Sequence, residues 1–112
     1  MGYIRFMANS DQKLDQIVQC LKAEFKPSKI YLFGSRGRGD NRSDSDYDLI
    51  LVDAQSNLSV IDRMMRASEV LKPLGVTADV FFYSKEKFDD WKNEFSSLPE
   101  LAVREGRELD LG

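Results

Sequence analysis

Leu14, Ile17, Val18, Leu21 and Phe25 recur at the three- and four-residue spacing that lines one face of a helix. Ser10 and Asp11 ahead of them and Pro27 behind them bound a first amphipathic helix. Ile30 to Phe33 is a short apolar run of strand formers that Gly34 ends, and Tyr47 to Val52 is a second. Leu58, Ile61, Met65 and Leu71, with Met64 beside them, predict a second amphipathic helix ending near Pro73 and Gly75. Val76 to Tyr83 is a third strand. Ser84 opens a third helix carrying Phe88, Trp91 and Phe95, and Ser97 with Glu100 forms a capping box for a fourth, closed by Gly106. A last short strand is placed at Glu108 to Leu111. The methionine and aromatic stripes are expected in the core. The order predicts an α/β (α+β) fold, a small sheet flanked by helices, in a single domain over residues 1–112.

Composition narrows the chemistry. With 42% apolar and 31% charged residues, the chain has the make-up of a folded globular domain. A net charge of -3 argues against a general electrostatic grip on nucleic acid, so any phosphate site must be local. No apolar run approaches the ~20 residues that span a bilayer. The start lacks a secretory core, and Met7 is a second candidate first residue. Cys20 is the only cysteine, which excludes an intrachain disulfide and a zinc cluster and points to a reducing cytoplasm. There is no histidine. Imidazole-based triads are therefore excluded, and carboxylates must supply the acid-base or metal chemistry.

The informative stretch runs from Gly34, Ser35, Arg36, Gly37, Arg38 and Gly39 to Asp46 and Asp48. Side chains two apart on a strand share a face, so Asp46 and Asp48 set two carboxylates side by side where the second strand begins. Two adjacent anions call for a hard cation such as Mg²⁺, which accepts carboxylate oxygens and keeps positions open for water and phosphate. Asp79 interrupts an otherwise apolar strand, where burial of a carboxylate demands a partner. If the third strand lies beside the second, it completes a three-carboxylate set able to hold two ions for in-line phosphoryl displacement. Gly34 permits a tight turn and close backbone approach, and backbone N–H groups with the Ser35 hydroxyl can cradle a triphosphate. Arg36 and Arg38 are expected to add contacts to phosphate oxygens, whereas Arg42 is read as solvated. For turn and carboxylates to meet, the first two strands must run antiparallel, so the sheet must be mixed. Two competing motifs fail. Leu49 and Gln55 stand where a calcium-binding loop needs glycine and glutamate, and Asp40 stands where a P-loop needs lysine.

Gly34, Ser35, Asp46 and Asp48 resemble the glycine-serine and paired-aspartate signature of the DNA polymerase beta nucleotidyltransferase superfamily, most closely its minimal (MNT) branch. Asp79 stands where that family has its third carboxylate, and the similarity runs from the first helix to Gly106. Gly37 departs from the alanine frequent in relatives, a change expected to loosen the loop. The resemblance implies a polymerase beta palm-like fold, Mg²⁺ dependence, and transfer of AMP from ATP to a hydroxyl. Members of this branch are commonly antitoxins paired with a helical HEPN ribonuclease toxin, so the resemblance also implies a partner tyrosine as acceptor. Two other functions remain open at this point: transfer to a small molecule such as an antibiotic, for which a homodimer would supply the missing walls, and neutralisation of a partner by occlusion without catalysis.

Overall fold

The computed structural model describes residues 12–112, so the Ser10–Asp11 helix start and Met7 lie outside the described residues. Helix α1 (Gln12–Phe25) buries Leu14, Ile17, Val18, Leu21 and Phe25, the predicted face. Strand β1 (Lys29–Phe33) leads directly into the one-turn helix α2 (Gly34–Arg38), and strand β2 (Tyr47–Val52) follows a loop. Helix α3 (Val60–Leu71) is capped by the Ser59 hydroxyl, which accepts from the Asp62 N–H. A 3₁₀ turn (Lys72–Leu74) ends on Gly75 at φ 69°, and strand β3 (Ala78–Tyr83) follows. Ser84 and Ser97 cap helices α4 (Lys85–Trp91) and α5 (Leu98–Arg104) as their sequence signals predict. In the second cap Glu100 reaches the N–H of Ser96, one residue earlier than an ideal capping box. Strand β4 is only Arg107–Glu108.

The sheet has the order β3-β2-β1-β4. Strand β1 is antiparallel to β2 and to β4, while β3 is parallel to β2, giving the mixed sheet that the chemistry required. The parallel step follows from the intervening helix α3, which carries the chain back to the starting edge. Alternation then divides β2 between two cores. Tyr47, Leu49 and Leu51 pack with α1, Ala67 and Leu71, whereas Ile50 and Val52 pack with Phe33, Phe88 and Ala102. Asp48 shares the second face, the one that α4 and α5 partly cover.

The stripes expected in the core divide. Phe88 is buried, but Ile61 is 69% exposed and Met65 62%, with Leu58 and Met64 also exposed. Helix α3 meets the protein through Ala67 and Leu71, so its apolar stripe is wider than the face it buries. Trp91 is half-exposed, and Phe95 lies beyond the end of α4 and is 81% exposed. The Phe95 ring is instead met by the Arg104 guanidinium, 5.3 Å from its centroid.

Candidate active site

Asp48 and Asp79 are opposite one another in the β2–β3 ladder, and Phe33 of β1 is opposite Asp48 on the other side. Gly34 follows Phe33, so the glycine-serine turn and the paired aspartates come together at one end of the sheet. The contact is close. Gly34 has φ 67°, and a side chain there would collide with the Asp48 carboxylate. The residue is therefore glycine for two reasons, a left-handed backbone and the space Asp48 occupies. Helix α2 ends on Gly39 at φ 83°, whose N–H donates to the Ser35 carbonyl at 2.9 Å.

Burial raises the pKa of Asp48 above the ordinary carboxylate range, and the charges of Asp79 and Asp46 raise it further, against a smaller lowering by Arg38. Asp46 and Asp79 are thus each in electrostatic reach of Asp48. Asp46 and Asp79 are exposed, which corrects the expectation that Asp79 is buried: β3 is an edge strand, and Asp79 sits near its start. Among the described residues no three acidic, cysteine or histidine side chains are drawn into ligating geometry. The donor set itself, hard carboxylate oxygens with a perturbed Asp48 at the centre, suits Mg²⁺ and suits no soft metal.

The two arginines of the turn diverge. Arg38 lies on the Asp48 side, ion-paired to Asp40 at 3.1 Å and to Glu105, just past the end of α5, at 3.6 Å. The Arg36 guanidinium stacks over the Tyr47 ring at 4.0 Å, and its Nε and Nη2 donate to the carbonyls of Ser45 and Ser43 at 2.9 and 3.1 Å. The loop has its own lock, since Arg42 N–H donates to the Ser45 hydroxyl and Ser45 N–H to the Arg42 carbonyl. Tyr47 N–H donates to Thr77, joining the entries of β2 and β3.

Gly37 is not a loosening substitution. A side chain there would lie 2.7 Å from the Leu32 carbonyl oxygen and 3.1 Å from the Gly106 Cα, so two glycines allow α2 and the end of α5 to close over β1. Gly106 does end α5, as its sequence signal predicts, but it also permits this approach, a contact between residues far apart in sequence that no local pattern signals. Tyr47 and Glu105 were likewise missed as arginine partners, because neither contact is local in sequence.

With this geometry in view, the family profile for the nucleotidyltransferase domain matches residues 14–103. A Methanocaldococcus jannaschii protein, provisionally named a protein adenylyltransferase, is 31% identical over 103 residues, covering 90% of this chain and 98% of that protein. Two crystal structures share the fold: a toxin–antitoxin complex with AMP-PNP (TM-score 0.64, 24% identity, 89% of this chain and 73% of that one) and an MntA-HpeT toxin–antitoxin mutant (TM-score 0.61, 23% identity, 86% and 71%). A provisionally named nucleotidyltransferase from Sulfolobus solfataricus is also similar, with TM-score 0.53, 27% identity, and 78% and 74% coverage.

Proposed function

The chain belongs to the nucleotidyltransferase domain family and is a nucleotidyltransferase, and we propose that it transfers AMP from ATP to a tyrosine hydroxyl on a helical, HEPN-type partner protein. The observation that carries this reading is the junction of the Gly34 turn with the Asp48–Asp79 pair. The M. jannaschii relative supports a protein acceptor, and the toxin–antitoxin neighbours support a toxin as that protein.

Asp46, Asp48 and Asp79 would hold Mg²⁺, one or two ions, whose chemistry is to neutralise triphosphate charge and make the acceptor hydroxyl more acidic. Gly34, lacking a side chain, would leave its backbone open to phosphate oxygens, and the Ser35 hydroxyl would donate to them. Arg38, on the Asp48 side, adds positive charge where negative charge is transferred. The acceptor oxygen bonds to the α-phosphorus as the bond to the bridging oxygen breaks and pyrophosphate leaves. Asp79, exposed at the edge strand, would take the hydroxyl proton. Cys20 carries a free thiol, which fits a cytoplasmic setting.

The test combines the purified protein with ATP, Mg²⁺ and the product of the adjacent gene, and separately with a panel of small hydroxylated acceptors, followed by mass spectrometry. AMP increments on a partner tyrosine are expected. Robust modification of a small molecule, with none on the partner, would replace the protein acceptor; binding and neutralisation without any transfer would replace catalysis by occlusion.

A further inference from the structure

We propose that Arg36 is a positioning residue that clamps the backbone leading into Asp46 from the opposite side of the sheet and does not contact the nucleotide. The argument starts from strand alternation. Tyr47 belongs to the core shared with α1 and α3, and Asp48 and Asp79 belong to the other face. A guanidinium 4.0 Å above the Tyr47 ring is therefore on the side away from the paired carboxylates. Arg38, two residues on, reaches the Asp48 side and Glu105. The turn thus sends one arginine to each side of the sheet edge.

Arg36 is also committed where it lies. Its Nε holds the Ser45 carbonyl and its Nη2 the Ser43 carbonyl. Ser45 immediately precedes Asp46, so these bonds fix the peptide from which Asp46 projects and the entry of β2 that carries Asp48. The demand is for a planar fork that bonds two carbonyls while its face lies on a ring. A lysine ammonium can supply the charge but neither the fork nor the stack. A phosphate ligand would tolerate lysine far better than a clamp would.

This inference rests on the nucleotidyl-transfer reading for its consequence and on the loop contacts for its substance, so the experiment reads both separately. Arg36→Ala and Arg36→Lys are compared with the parent by hydrogen exchange at the amides of residues 43–46 and by trypsin cleavage after the exposed Arg42. Mg²⁺ binding is followed through thermal protection, ATP binding by calorimetry without acceptor, and transfer kinetics last. Both variants should speed loop exchange and Arg42 cleavage severalfold, raise the Mg²⁺ midpoint, and lower kcat about 10- to 100-fold, while ATP affinity changes less than about twofold. Unaltered loop exchange in both variants overturns the clamp. A loosened loop accompanied by a loss of ATP affinity as large as that of Ser35→Ala overturns the separation from the nucleotide, as does restoration of kcat by lysine. Should Arg36→Ala fail to fold, Arg36→Lys decides on the same readouts. A parent protein that transfers AMP to nothing would defeat the functional reading alone, leaving the exchange and Mg²⁺ measurements to judge the clamp.

Discussion

Asp48 on β2 and Asp79 on β3 are direct partners across a parallel pair of strands, and that pairing sets two like charges on one face of the sheet. With Asp48 partly buried, its ionised form is disfavoured in the folded protein. The raised pKa means that the native state holds a proton at a pH where the unfolded chain has lost it. Ionised Asp48 therefore destabilises the fold above its raised pKa, and the penalty fades as pH falls through that value and is gone below about 3.9, the ordinary range.

Asp48→Asn should accordingly melt higher than the parent at neutral pH in EDTA, with the advantage vanishing in acid. Added Mg²⁺ should stabilise the parent more than the variant and so narrow the gap. Transfer activity should fall by about 100-fold or more in the same variant, since the proposed site puts this carboxylate where metal and phosphate would meet. Melting curves across pH, with and without Mg²⁺, check the first two; equal melting temperatures at neutral pH in EDTA would remove the repulsion account.

Gly34→Ala should be costly in two separable ways. Left-handed backbone costs a residue with a side chain about 1–2 kcal/mol, and the new methyl must displace the Asp48 carboxylate. Stability measured by urea denaturation should fall by at least the backbone term. Activity should fall further, about 100-fold, because the carboxylate proposed to hold the metal is moved. A folded variant with parental activity would separate Gly34 from the site.

The exposed stripe of α3 yields a contrast within one helix. Leu71 is buried in the larger core, so Leu71→Ala should cost about 2–5 kcal/mol. Met65→Gln, on the exposed face, should change stability by less than about 0.5 kcal/mol. Denaturant titration of the two variants checks this; a large cost at Met65 would mean that the stripe is covered in the folded protein in solution.

These cases show why some of the molecule could be read from its sequence and some could not. Strand β2 was legible because Tyr47 to Val52 is a compact run of strand formers between a loop and a turn, and the face that Asp48 takes follows from a two-residue period, whereas Asp46 lies in the loop just before the strand. The antiparallel pairing of β1 and β2 was forced by the need for Gly34 and Asp48 to meet, and the register now places them together. Asp79 was found by its apolar neighbours but assigned the wrong burial, because edge or centre depends on strand order, which no local pattern encodes. Periodicity likewise finds the apolar face of α3 without saying how much of it another element covers. The partners of Arg36 depend on how a loop of several residues closes, a tertiary outcome.

The last prediction concerns Gly37, expected from the sequence alone to loosen the turn. The loop itself does not demand glycine at this position, since its backbone is not left-handed. The demand comes from outside: an added methyl would lie 2.7 Å from the Leu32 carbonyl oxygen and 3.1 Å from the Gly106 Cα. Both neighbours are backbone, and Leu32 is held in the sheet between β2 and β4, so neither can yield as a flexible side chain would. Gly106 is equally confined, facing the carbonyls of Leu32 and Ala102. Gly37→Ala should therefore lower stability by about 1–3 kcal/mol, the usual cost of overpacking, even though alanine is the better helix former. Because the strain falls on β1 and the end of α5 rather than on Asp48, ATP affinity should decline less than in Gly34→Ala. Thermal denaturation with calorimetric ATP titration of both variants provides the comparison. A stabilised Gly37→Ala protein would show that the two glycines are not in the close backbone contact described, and that the helix propensity of α2 governs this position instead.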